Sequence, residues 1–158
     1  MSATTLPIEA APPPVTIHYR LATDADGPAI GRLFAACDYG DLGVNWARAD
    51  VTQSWVVAER GGILLGAIQV FLGQPYGVIG DCVVLPQARA RSDDGAGQFG
   101  RPGVVARALY GYALKALKAT GAQVALGVTR KPGMMRLIGR YGGVPLGTCE
   151  SFARDLTR

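Results

Sequence analysis

Three apolar runs follow one another so closely that the chain has few ways to arrange them. Ser54–Glu59 and Ile63–Leu72 are separated by the Gly61-Gly62 pair, and Tyr76–Leu85 begins soon after. Each run is short and rich in β-branched or aromatic residues, so each reads as a strand. Paired glycines between two strands predict a tight hairpin, because both central residues of such a turn adopt positive φ. Linkers this short carry no crossover, so the three strands are expected to run antiparallel. Pro86 ends the third run.

The pattern then changes. Residues 87–103 read as a long loop holding Arg89, Arg91, Asp93, Asp94 and many glycines. The spacing predicts a helix from about Pro102 to Thr120, with Val105, Leu109, Tyr112, Ala116 and Leu117 on one face and Gly121 at its end. Gln123–Val128 reads as a strand. Pro132 opens a second helix carrying Met134, Met135, Leu137 and Ile138, which Gly142-Gly143 closes, and Val144–Leu156 supplies one or two further strands. Strand, helix, strand is the series of a parallel crossover.

Upstream, Val15, Ile17, Tyr19 and Leu21 alternate with Thr16, His18, Arg20 and Ala22, the pattern of a half-buried strand. His18 falls on its polar phase and reads as a solvated side chain. Thr23 followed by Asp26 resembles a capping box, and Ile30, Leu33, Phe34 and Cys37 follow at helical spacing. Residues 1–14 end in three prolines and read as an extended tail ahead of a single domain over residues 15–158.

Composition removes several classes of function. Hydrophobic residues make up 49% and charged residues 18%, enough for a core and too little charge for disorder. The net charge, 16 − 12 = +4, suits an anionic ligand but is too small and scattered for a nucleic-acid surface. Cys37, Cys82 and Cys149 are odd in number and share no ligand spacing, so no metal is expected and a reducing compartment is. The first residues lack a signal peptide's basic and apolar regions, and no apolar run is long enough to span a bilayer. The expected location is cytoplasmic.

Two stretches offer themselves to an anion. Gly95-Ala96-Gly97-Gln98-Phe99-Gly100 is a literal GxGxxG, but residues 87–94 separate it from the strand, and no acid follows at the end of a second strand. It reads as a flexible loop. Arg101-Pro102-Gly103-Val104-Val105-Ala106 enters the long helix, whose first amides lack internal partners and whose dipole favours negative charge. A helix start capped by solvent accounts for those six residues equally well.

The context around them resembles the coenzyme A core of the GNAT acetyltransferases. A strand ending in Val83-Val84-Leu85-Pro86, a basic glycine-containing loop, a helix closed by Gly121, a strand, and a short helix closed by Gly-Gly carry the resemblance. It is strongest from Tyr76 to Gly143 and covers residues 15–156 in element order. It implies a mixed α/β fold with a central sheet of 6–7 strands. The N-terminal part of that sheet is antiparallel, a parallel crossover joins the fourth and fifth strands, and about four helices flank it. It also implies acetyl-CoA as cosubstrate and an amine acceptor (small molecule, protein N-terminus or lysine); from the charge and hydropathy above, no membrane or nucleic-acid partner is expected.

The family's phosphate motif, Gln or Arg, two residues, Gly, one residue, Gly or Ala, places Arg101 at the basic position, Val104 at the first Gly and Ala106 at the last. Gly103 and Val105 then complete the amide cradle. Val104 departs from the pattern, with Gly103 one residue early. The resemblance puts Val84 against the pantetheine arm, in a splay between the fourth and fifth strands that admits the thioester. Lys131 stands where the family has an Asn.

For chemistry, the resemblance makes Asp81 the base that deprotonates the amine. Asp81 is also the only acid between Glu59 and Asp93, and a carboxylate inside an apolar run needs a partner or water. The plainer reading bonds it to a neighbouring backbone group at a bulge. The family's general acid is a Tyr four residues before the closing Gly, where this chain has Ile138; Tyr141 lies about three-quarters of a turn away. The acceptor is expected against Tyr39, Asp41 and Trp46, with Glu150 from the last strands, although such residues also make an ordinary polar loop. A catalytically silent GNAT-fold module remains the alternative. It would dock on a partner, or on a second copy, through the tail.

Overall fold

In the computed structural model, which describes residues 16–37, 53–89, 103–129, 132–145 and 151–157, Gly61 and Gly62 turn the chain with φ of 57° and 79°. Positive φ at both positions is what the tight hairpin requires. The turn joins β2 (Gln53–Arg60) to β3 (Ile63–Phe71), and β4 (Tyr76–Val84) follows. Before them come β1 (His18–Leu21) and α1 (Gly27–Ala35). After them come α2 (Pro86–Arg89), α3 (Val104–Ala119), β5 (Val124–Val128), α4 (Pro132–Arg140), β6 (Val144–Pro145) and β7 (Ser151–Asp155).

The strands form one sheet in the order β1-β2-β3-β4-β5-β7-β6. Every neighbouring pair is antiparallel except β4 and β5, which α3 joins as a parallel crossover. Helices pack on both faces of the sheet. On one, α3 and α4 bury Leu109, Tyr110, Leu117 and Ile138 against Val56, Ile68, Val70, Ile79 and Val84. On the other, α1 buries Ile30, Leu33 and Phe34 against Trp55, Val57, Ala67 and Val83.

The glycines that close the two crossover helices do so by one mechanism. Gly121 sits at φ 89°. Its amide bonds to the Lys118 carbonyl at 3.0 Å, and the Ala122 amide reaches the Leu117 carbonyl at 3.1 Å. Gly142, at φ 75°, repeats the pattern with Gly142 to Gly139 and Gly143 to Ile138, both 3.0 Å. Carbonyls that a helix end leaves unpaired are satisfied this way, and only glycine takes the left-handed position without strain.

The Thr23 and Asp26 pairing also forms. The Thr23 amide donates to Asp26 Oδ2 at 2.7 Å, at the head of a 3-10 turn (Asp24–Asp26) that leads into α1. Arg20 adds two ion pairs that the sequence did not announce, to Asp26 at 2.7 Å and to Glu59 at 2.9 Å. This guanidinium holds the Asp26 carboxyl well below the usual carboxylate range.

Three expectations need correction. Residues 87–89 are not loop; they continue a helical turn that Pro86 starts, as proline can where no amide bond is needed. Tyr110, not Tyr112, fills the core beneath α3. Tyr112 stacks on Tyr19 at 5.2 Å between centroids, under the Lys115 ammonium. Leu21, expected on the buried phase of β1, is exposed because β1 is the edge strand. His18 is exposed, as its phase indicated.

Candidate functional site

The site is built where β4 and β5 part. Their pairing runs from Tyr76↔Val124 to Ile79↔Gly127 and goes no further, while β4 continues to Val84. β5 itself ends one residue later, at Val128, and β4 leaves regular pairing at the same level. Ile68 pairs with Cys82 and Val70 with Ile79, so Gln69 alone faces two residues, Gly80 and Asp81. An extra residue on one strand is a bulge, which bends and twists that strand away from its neighbour.

The bulge also resets which side chains face which way. Ile79 lies on the α3 face, and Cys82 and Val84 pack on that same face, whereas Val83 belongs to the α1 face. Asp81 alternates with Cys82 and so shares the α1 side with Val83, where it is exposed to solvent. A side chain at position 80 would press on the Gln69 amide oxygen and displace that flexible side chain. Gln69 passed unnoticed in the sequence, yet it carried a signal: it is the one polar side chain in the run Ile63–Leu72.

Val84 lies at the top of the splay. The Leu85 amide donates to the Leu65 carbonyl at 2.8 Å, which makes that pair the hydrogen-bonded one. Its neighbour Gly66↔Val84 is therefore the non-bonded pair, and the Val84 amide and carbonyl point away from β3. That carbonyl accepts from Arg89 Nε and, at 3.5 Å, from the Cys37 thiol. Cys82 packs its thiol away from water, although the residue as a whole is half-buried. Desolvation pushes it up to about 12, against the opposing influence of Arg89 and with some help from Asp81. A thiol so protonated at neutral pH is no nucleophile.

The start of α3 suits an anion. Gly103, the N-cap, takes the left-handed conformation at φ 76° and has no side chain to cap with, and the first turn holds no acid. A Cβ at Gly103 would meet nothing within 4 Å. The Arg107 amide makes the first bond back, to the Gly103 carbonyl at 3.0 Å. The amides of Gly103, Val104, Val105 and Ala106 thus precede the internal ladder, and the helix dipole adds about half a positive charge there. The residues present fit a pyrophosphate bound by backbone groups. Val104 and Ala106 are half-buried and Val105 is in the core, anchoring the turn.

Ile138 is 2% exposed and part of the core, with no hydroxyl to offer. Tyr141 is committed elsewhere: its hydroxyl donates to the Arg107 carbonyl at 3.1 Å, tying the end of α4 to α3. Arg101, Lys131, Tyr39, Asp41, Trp46 and Glu150 lie outside the described residues, as do the GxGxxG stretch and the N-terminal tail. Among the described residues, no group of three or more His, Cys, Asp or Glu could hold a metal, and no helix is long and apolar enough to cross a membrane.

No protein-family model matches the sequence, and no curated protein matches it. Solved structures do. An N-acetyltransferase from Staphylococcus aureus Mu50 is 14% identical, with a TM-score of 0.63 over 90% of this chain and 99% of that one. A GNAT-family N-acetyltransferase from Escherichia coli, in complex with CoA, is 15% identical, with a TM-score of 0.64 over 94% and 86%. A GNAT-family acetyltransferase from Brucella melitensis, in complex with acetyl-CoA, is 18% identical, with a TM-score of 0.59 over 91% and 90%. At such identities the likeness establishes architecture, and the architecture is that of the GNAT acetyltransferases.

Proposed function

We propose that this chain transfers an acetyl group from acetyl-CoA to an amine. The observation that carries the reading is the coincidence of three features. They are the end of the β4–β5 pairing at Ile79↔Gly127, the start of α3 at a left-handed glycine with no acid in its first turn, and Asp81 exposed at the bulge between them in the chain. The amides of residues 103–106 hold the pyrophosphate, with Arg101 and Lys131 adding charge. The Val84 backbone receives the pantetheine arm, which competes with Arg89 for its carbonyl. Asp81 takes the amine proton, and the acceptor also meets Tyr39, Asp41, Trp46 and Glu150. With Ile138 in place of a hydroxyl, the departing thiolate draws its proton from water.

The test pairs binding with turnover. Acetyl-CoA at a hundredfold excess over its dissociation constant should stabilise the protein by about 2.7 kcal/mol. Asp81→Asn should leave that shift intact and lower thiol release about a hundredfold or more, the usual worth of general base catalysis. No shift with millimolar acetyl-CoA on folded protein would end the proposal, and equal turnover would remove Asp81 from it.

A further inference from the structure

Among the described residues, α1 is the helix that packs on its side of the sheet. Helix α1 packs over Trp55, Val57, Ala67 and Val83. Below them the same face continues as an apolar strip that belongs to neither core cluster. Tyr76 is 59% and Val78 37% exposed, and Phe71 and Leu126 are half-buried. Register makes the strip continuous, since Phe71 pairs with Val78 and Val78 with Leu126. Its phase is fixed by its neighbours: Val70, Ile79 and Ala125 all point to the α3 side, so the residues next to them point to the other. The strip runs up β4 directly into the bulge, where Gln69 and Asp81 stand on this same face.

The geometry points to this strip as the seat of the acceptor's body, and hence to a primary amine carried on an alkyl or aryl-alkyl group as the substrate class. The inference rests on the transfer reading above and adds to it what the amine is attached to. An ammonium at the bulge meets the Asp81 carboxylate, with the Gln69 amide oxygen as a second acceptor. Charge complementarity therefore fixes the polar end, and the exposed strip, with Gln53 beside Phe71 at its margin, offers mainly apolar surface to the rest of the molecule. A hydrophilic amine of equal charge would make the polar contacts and leave the strip wet, forgoing the gain from covering apolar area. Gln69 is then a positioning residue that fixes where the nitrogen sits relative to Asp81.

Calorimetry with phenethylamine and 2-methoxyethylamine tests this, on the protein alone and saturated with CoA, with thiol release from acetyl-CoA followed in parallel. Phenethylamine should bind about tenfold tighter or better. Val78→Asn should remove most of that preference, while Asp81→Asn should weaken both amines alike. Tyr76→Ser, at a more exposed position, serves the same purpose as Val78→Asn should that variant melt early. Equal or absent binding of the two amines, or a preference untouched by both strip variants, overturns the inference. Preferential binding without thiol release refutes acetyl transfer and leaves the strip standing; thiol release without preference does the reverse.

Discussion

Gly77 and Leu117 make one contact between β4 and α3, and that contact predicts a pair of coupled substitutions. Leu117 is wholly buried. A Cβ built on Gly77 would lie 2.6 Å from one Leu117 methyl and 3.1 Å from the other. Leu117→Ala therefore opens a hole that the sheet cannot fill, because its partner there has no side chain, and should cost about 3–5 kcal/mol. Gly77→Ala pushes a methyl into a leucine that has no solvent to move toward. That overpacking costs about 1–3 kcal/mol, offset by about 0.4–1 kcal/mol because alanine narrows the unfolded ensemble.

In the double variant the new methyl enters the space Leu117 has vacated. Its cost should fall short of the sum of the two by about 1–2 kcal/mol, within the range seen for residues in contact. Urea unfolding of the four proteins, read by circular dichroism, gives the cycle directly, provided the slopes agree. Additivity within about 0.5 kcal/mol, the behaviour of distant sites, would refute the contact.

Two further outcomes follow from side chains whose partners are known. Tyr141→Phe should cost about 1 kcal/mol through the lost bond to the Arg107 carbonyl. It should leave thiol release unchanged; a fall in turnover would give this hydroxyl the role of acid. Asp26 has a folded pKa held below its unfolded value by Arg20, then by the Thr23 contacts, so its stabilisation is present above about pH 4 and is lost as pH falls toward the folded value. The melting difference between wild type and Asp26→Asn should thus be wide at pH 7 and narrow progressively below pH 4, and a gap constant with pH would dismiss the ion pair.

What the sequence disclosed depended on whether the cause was local. Gly61-Gly62, Gly121 and Gly142 were legible because positive φ is a property of the backbone at one position, and glycine answers it wherever it occurs. Ile30, Leu33 and Phe34 were legible because one stripe meets one face. The choice between Tyr110 and Tyr112 was not, since both flank the apolar stripe of α3 and only Tyr19, far off in the chain, gives Tyr112 a place outside the core. The basic pocket expected at Arg101 and the aromatic wall at Tyr39 and Trp46 fall outside the described residues. Gln69 was overlooked because a single polar residue in a strand has meaning only once its cross-strand neighbour is known. That neighbour is the bulge.

The bulge is the point at which fold and chemistry share a cause. Without it β4 would alternate regularly, and a strand that puts Ile79 on the α3 face would put Asp81 there also. An ionised carboxylate would then be driven into a core of Leu109, Leu117 and Ile138, where burying a charge is costly. With Gly80 as the extra residue, Ile79, Cys82 and Val84 keep the core while Asp81 turns to the open side. The same extra residue adds twist where β5 lets go, directly after Ile79. An acid standing alone inside an apolar strand is thus tolerated by the irregularity that separates the two parallel strands, and the carboxylate and the cleft it faces are consequences of one residue.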